Sequence, residues 1–183
     1  MFKKFVSSIA IIVLVGMMVV GGIAQADTNA TVTATVTVQN VAMTLSQSSF
    51  AYGTMAANTA SSTAGLFAGA GIVATNGSNV TADFDISGAN TGTGKSGTGW
   101  DLKTAAGSDE YIHKFCDDTL NDCTIPAGQS NYIDLPVGPS TAVLKNNVAA
   151  AGTNAFQLQI TTPNPSTKFT QQSVPVTVQV SAS

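Results

Sequence analysis

Hydrophobic and polar residues alternate most regularly near the start of the chain, in residues 31–38. The odd positions are threonines, and the even positions are apolar: Val32, Ala34, Val36 and Val38. This two-residue period is typical of a β-strand with one apolar and one polar face. After residues 39–40 the apolar positions become odd-numbered, which indicates a bulge or a change of sheet.

The same period recurs along the chain and predicts further short strands. They span residues 48–54, 66–74, 79–87, 100–102, 111–116, 132–135, 155–161 and 174–180. Residues 141–151 fit either a strand with a turn or one turn of helix. Pro175 cannot donate a hydrogen bond to a ladder, so the last strand is expected at an edge or terminal position.

About nine or ten short strands, with turn signals between them and no long amphipathic helix, predict an all-β fold. The class that fits is an antiparallel β-sandwich, immunoglobulin-like or jelly-roll. The 183 residues leave room for one such domain. We assign it to residues 27–183, with residues 27–39 as a candidate exchangeable N-terminal strand.

Residues 1–26 have the organisation of a cleaved signal peptide. Lys3 and Lys4 precede an apolar run, and Ala24-Gln25-Ala26 has the small-x-small form of a cleavage site. The run approaches the length that spans a bilayer, so an uncleaved anchor is the alternative. With cleavage, we expect a protein that is secreted or at the cell surface and not held by a membrane.

Composition narrows the function classes further. Charged residues are 9% of the chain, and arginine is absent. After residue 26 the chain has five lysines and ten acidic residues. Nucleic-acid binding needs a basic surface and is therefore excluded.

Cys116 and Cys123, the two cysteines of the chain, are expected to form a disulfide in a secreted protein. A redox or metal role is the alternative, although closer spacing or more ligands would suit it better. Oxygen ligands of the kind that calcium binds lie near this pair: Asp117, Asp118, Asn121 and Asp122. Their spacing matches no established calcium motif, so a solvated acidic loop is the other interpretation. We expect no other cofactor.

Two features that suggest catalysis are weak. Residues 89–96 resemble a relaxed phosphate-binding loop, but the residues that follow do not begin a helix. His113 is the single histidine, and no Gly-x-Ser-x-Gly nucleophile motif accompanies it. The sequence therefore predicts a protein that is not an enzyme.

Aromatic and asparagine residues suggest glycan chemistry of two kinds. Trp100 and Tyr111 could stack on a sugar, although such aromatics are also common in cores. Formal N-glycosylation sequons begin at three asparagines: Asn29, Asn76 and Asn79.

Three stretches carry a resemblance to a known group of proteins. They are residues 49–55 (Ser-Phe-Ala-Tyr-Gly-Thr-Met), residues 72–76 (Ile-Val-Ala-Thr-Asn) and the alternating residues 80–88. This order resembles the opening of secreted bacterial-surface β-sandwich subunits of the immunoglobulin-like, spore-coat-U or pilin type. In donor-strand pilins an alternating N-terminal extension fills a groove in a neighbour, and residues 31–38 are similar to it in pattern.

Together these features predict a secreted structural subunit of the cell surface, extracellular matrix or a pilus-like fibre. It would self-associate into a homo-oligomer or fibre through β-strand edges. The alternative is a secreted adhesion or carbohydrate-binding module whose partner is a surface polysaccharide.

Overall fold

The computed structural model describes residues 32–66, 71–118, 123 and 131–183. The chain divides into two compact units, Met1–Thr37 and Val38–Ser183. The predicted signal peptide and Asn29 lie outside the described residues.

The second unit is nearly all β, as predicted. Its described residues form ten strands: β1 (Met43–Leu45), β2 (Ala60–Ser62), β3 (Ile72–Asn76), β4 (Ala82–Gly88), β5 (Asp101–Leu102), β6 (Glu110–Asp117), β7 (Ile133–Asp134), β8 (Ala142–Val148), β9 (Thr153–Thr161) and β10 (Val176–Ala182). One 3₁₀ turn, Thr63–Gly65, follows β2. No helix in the described ranges is long and apolar enough to cross a membrane.

The strands belong to two sheets. A seven-stranded sheet has the order β1-β3-β9-β6-β5, with β2 also paired to β9 and β7 to β6. A three-stranded sheet has the order β10-β4-β8. The strand pairs are antiparallel except β5 with β6, which is parallel.

Alternating side chains from both sheets form one hydrophobic core. In β4 the alternating positions Ala82, Phe84 and Ile86 are buried. In β9 the buried positions include Phe156, Leu158 and Ile160. These residues and buried side chains of β3, β6 and β8 belong to the same cluster, so the core depends on both sheets.

β10 differs from β4 and β9 in its burial. It pairs with β4 along its whole length, from Val176–Gly88 to Ala182–Ala82, and has no second partner among the described strands. Val176, Val178 and Val180 are therefore only half-buried. Pro175 directly precedes this edge strand, as its missing N–H predicted.

The structure contradicts two of the predicted strands, those at residues 31–38 and 48–54. No strand or helix occurs in residues 32–42 and 47–59, although both ranges contain alternating sequences. The physical reason is the same in each case: periodicity defines an apolar face, but a strand also needs a neighbour for its N–H and C=O groups. No described strand of the chain pairs with either segment.

Two other predictions needed the structure to decide them. Residues 142–148 are a strand, β8, paired with β4, so the helical alternative for residues 141–151 is wrong. The strand predicted at residues 66–74 begins only at Ile72, and residues 67–70 lie outside the description.

Candidate assembly surfaces

Residues 32–38, here called the arm, expose their apolar side chains to solvent. Val32 is 90% exposed, Val36 is 89% exposed and Val38 is 77% exposed. Ala34 is also exposed. The apolar positions of the predicted strand are therefore solvent-exposed in the arm.

The second unit contains an apolar groove of about 960 Å³. Its deep lining comes from the inward face of the seven-stranded sheet: Ile72, Phe156, Leu158 and Ile160. Two segments without regular structure, residues 47–57 and 168–175, line it as well, together with Val176 and Val178 of β10. Lys168 is the one charged side chain among these lining residues. The strand residues give the groove an apolar floor, while uncharged Ser, Thr and Gln side chains of the irregular segments also line it.

Residues 47–55, here called the strap, contact the core although they form no ladder. Phe50, Tyr52 and Met55 are half-buried against the core cluster, while Ala51 and Gly53 are exposed. The rings of Phe50 and Tyr52 meet edge-on with their centroids 4.9 Å apart. The strap therefore has a strand-like inward face.

A buried polar contact fixes the centre of the strap. The Tyr52 hydroxyl lies 3.0 Å from Nε2 of His113, within hydrogen-bond distance. His113 is 1% exposed, and its Nδ1 has no hydrogen-bond partner among the described atoms. Burial lowers the pKa of His113 to about 4 and raises the pKa of Tyr52, so both groups are neutral near neutral pH. This environment is that of a core contact between the imidazole and the Tyr52 hydroxyl.

The two candidate sugar-stacking residues have different surroundings. Tyr111 is 0% exposed, and its hydroxyl donates to the carbonyl of Ala89 at 2.6 Å. Its ring therefore offers no face to a sugar in this structure. Trp100 is half-buried, lines the groove and donates its indole N–H to Oγ of Ser166 at 3.1 Å.

The predicted disulfide is confirmed. Cys116 and Cys123 are bonded, with their Cα atoms 5.8 Å apart. The pair joins the end of β6 to a segment of which only Cys123 is described.

The structure describes two of the four residues predicted to bind calcium, Asp117 and Asp118. Asp118 is 4% exposed and accepts hydrogen bonds from Nε2 of Gln157 at 2.8 Å and from the Cys123 N–H at 3.4 Å. Asp117 accepts from the Lys145 ammonium at 2.9 Å. Asn121 and Asp122 lie outside the described residues, and the described ranges contain no group of three or more His, Cys, Asp or Glu that could hold a metal ion.

Asn76, one of the three sequon asparagines, lies inside the folded chain. Asn76 is 0% exposed, and its amide nitrogen lies within hydrogen-bond distance of the carbonyls of Val80, Val148 and Ala149. A glycan on that nitrogen would have no path to solvent. Asn79 is exposed.

The phosphate-loop resemblance also finds no support in the geometry. The N–H groups of Gly94, Gly97 and Gly99 donate to carbonyls of the same loop. The Lys95 N–H donates to Oδ1 of Asp101, and its ammonium is paired with Glu110. Because these donors have partners within the protein, they do not form an anion cradle.

Sequence reasoning missed the groove and the role of the strap. The sequence contained the alternating apolar positions of both segments, since residues 48–54 have an inward aromatic pair and residues 174–180 have an inward valine row. A one-dimensional pattern does not show that the two segments line one cavity.

Comparisons with protein-family models, with curated protein sequences and with solved structures find no match to this chain.

Proposed function

We propose that this protein is a secreted, non-enzymatic structural subunit that polymerises at the cell surface, in an extracellular matrix or in a pilus-like fibre. The arm of one copy adds as a strand to the free edge of β10 in the next copy and places its valines in the groove. In this proposal the two sheets form an antiparallel sandwich, immunoglobulin-like or jelly-roll, that lacks one strand. The resemblance to bacterial-surface subunits is consistent with it.

The observation that carries the proposal is the exposed apolar row of the arm. Full burial of one valine side chain stabilises by about 1.5–3 kcal/mol, yet Val32, Val36 and Val38 are each at least 77% exposed. An unpaired segment with this alternating pattern is suited to pairing as a strand with another chain. In the proposal, a second copy supplies the apolar surface that buries these side chains.

The acceptor matches the arm in length and chemistry. At about 3.3 Å per residue, the seven residues from 32 to 38 would span about 23 Å. β10 also has seven residues and one edge without a partner strand among the described residues. Adding a strand there would give hydrogen bonds through the main chain and specificity through alternating side-chain pockets.

The absence of a catalytic role is part of the same proposal. Lys168 is the one charged residue among the described groove-lining side chains, while general acid–base chemistry needs titratable groups that face the substrate. His113 lies in the core. The Cys116–Cys123 disulfide is compatible with an oxidising compartment outside the cell.

The carbohydrate-binding alternative has less support. Of its two aromatic residues, Tyr111 is buried, and Trp100 is half-buried with its N–H already bonded. A monomer that binds a glycan array, and loses that binding in Trp100→Ala, would favour it over the subunit proposal.

The experiment compares residues 27–183 with a version lacking residues 27–39 by size-exclusion chromatography and negative-stain microscopy. We expect concentration-dependent filaments or oligomers from the first protein and monomers from the second. Because β1–β10 begin at Met43, the truncated protein should keep its β-type circular dichroism spectrum. A monomeric longer protein, or a truncation that unfolds, would contradict the proposal.

A further inference from the structure

A buried chain of three polar side chains joins the 3₁₀ turn after β2 to β9 and to the end of β6. Thr63 donates its hydroxyl hydrogen to Oε1 of Gln157 at 2.7 Å, and Nε2 of Gln157 donates to Oδ2 of Asp118 at 2.8 Å. The exposed fractions of Thr63, Gln157 and Asp118 are 0%, 1% and 4%. A hydroxyl, a carboxamide and a carboxyl group are thus held in contact away from bulk water.

The surrounding backbone confines these groups. The Leu158 N–H donates to Oγ of Thr63 at 2.8 Å, so the hydroxyl is held from two sides. Gly71, at φ +73°, lies so close to the carboxamide that a Cβ there would be 2.6 Å from Cδ of Gln157. The carboxamide therefore stays against the hydroxyl and the carboxyl group.

The three groups are the reactants of an ester bond. A threonine hydroxyl acts as a nucleophile when a neighbouring group assists the transfer of its proton, and Cδ of Gln157 lies one bond beyond the oxygen that this hydroxyl contacts. Attack forms the Oγ–Cδ bond and breaks the Cδ–Nε2 bond, and the hydroxyl proton ends on the nitrogen. Nε2 then leaves as ammonia, and nothing is oxidised or reduced.

We propose that Thr63 and Gln157 react in the folded protein to form an intramolecular ester, with Asp118 as the catalytic group that delivers the proton to Nε2. The step consumes no cofactor, oxidant or second substrate, and burial protects the ester from hydrolysis. The bond ties the turn after β2 to β9 across 94 positions of the chain. A tie across so long a loop restricts the unfolded chain more than the short disulfide loop does.

Tryptic peptide mapping of unfolded residues 27–183 tests for the bond directly. Trypsin cleaves after the lysines of this arginine-free chain. Thr63 therefore falls in the peptide 27–95, and Gln157 falls in the peptide 146–168. These two peptides separate unless a covalent bond joins them.

We expect one crosslinked species, lighter than the sum of the two peptides by about 17 Da, the mass of one ammonia. Its fragment ions should place the bond between Thr63 and Gln157. The disulfide lies within a third peptide, residues 115–145, and so does not interfere. Two separate peptides of unchanged mass would overturn the proposal, and this measurement needs no variant to fold.

A second pair in the chain is an internal control. Thr91 is also 0% exposed and donates to Oε1 of Gln172 at 2.7 Å. Nε2 of Gln172, however, donates to the carbonyls of Thr98 and Thr170 instead of a carboxyl group. We expect the peptide 169–183, which contains Gln172, to remain separate. A crosslink there of equal abundance would overturn the role of the neighbouring acid.

Thr63→Val keeps the side-chain volume and removes the nucleophile, so its intact mass should show no loss of ammonia. A loss of the same mass that persists in Thr63→Val, as from a succinimide at Asn76, would assign the loss to another amide and overturn the proposal.

Asp118→Asn retains a polar partner for Nε2 but cannot exchange a proton with it. The crosslinked fraction of freshly made protein should therefore increase about a hundredfold more slowly than in the unsubstituted protein. Equal rates in the two proteins would overturn the catalytic role of Asp118. None of these outcomes depends on the assembly proposed above.

Discussion

Asn76 and Asn79 begin consecutive sequons but have different roles in the fold. The Asn76 side chain ties the end of β3 to the carbonyl of Val80, which precedes β4, and to the carbonyls of Val148 and Ala149 at the end of β8. Its Oδ1 accepts the Ser78 N–H at 2.8 Å. Asn79 is exposed and bonds the backbone of Val38 and Asn40. Sequence alone treats these two asparagines as equivalent, because the sequon contains no information on burial.

We therefore expect Asn76→Ala to lower the free energy of unfolding by about 3 kcal/mol, because it leaves buried carbonyls without donors. Asn79→Ala should cost less than about 1 kcal/mol, since water replaces its partners. Urea unfolding followed by circular dichroism measures both values. Equal losses in the two variants would contradict this assignment of Asn76 to the buried network.

His113 gives the protein a predicted pH dependence of stability. Its pKa is about 4 in the folded state and 6.5 in its ordinary state, so between these values the unfolded chain binds a proton that the folded chain does not. Stability is fully present above pH 6.5 and falls as the pH decreases toward 4. The loss from His113 should be about 1.4 kcal/mol by pH 5.5, where most carboxylates remain ionised.

Urea unfolding at pH 7.5 and pH 5.5 tests this prediction, with His113→Gln as the variant that cannot titrate. The free energy of unfolding of the unsubstituted protein should fall by the stated amount. That of His113→Gln should change little over the same interval. A variant that retains the full pH dependence would assign the effect to other groups.

At the level of elements, the alternating sequences predicted the strands that have partners in the chain. β4, β6, β9 and β10 were each found within a few residues of their bounds, because burial of one face produces the period of two. The arm and the strap have the same period and form no strand. Their predicted faces are real, but pairing depends on a neighbour that residue order does not specify.

The Cys116–Cys123 disulfide closes a short loop after β6. Because the bond restricts the unfolded chain, replacing both cysteines by alanine should lower the free energy of unfolding by about 2.5 kcal/mol. The measurement is the urea midpoint of the double variant against that of the unsubstituted protein. An unchanged midpoint would show that the loop is already ordered in the unfolded state or that native contacts compensate.

At the level of the whole molecule, both sheets of the second unit contribute to one hydrophobic core. The edge strand β10 and the strap line the same groove. The arm has the complementary pattern and no described use within its own chain. The all-β class was predictable from the sequence, whereas the pairing of the strands into two sheets and the groove were not, because both depend on segments that lie far apart in the chain. A subunit interface explains both unpaired features with one contact.

The most direct measurement compares the assembly of Val36→Asp and Thr35→Asp in residues 27–183, by light scattering and negative-stain microscopy. In the proposed interface, Asp at position 36 enters the apolar groove and Asp at position 35 faces solvent. A buried unpaired carboxylate costs several kcal/mol, so Val36→Asp should raise the concentration needed for assembly by about a thousandfold. Thr35→Asp should assemble close to the level of the unsubstituted protein. Equal assembly of both variants, or equal impairment, would contradict the account that the valine face of the arm is buried in a neighbouring copy.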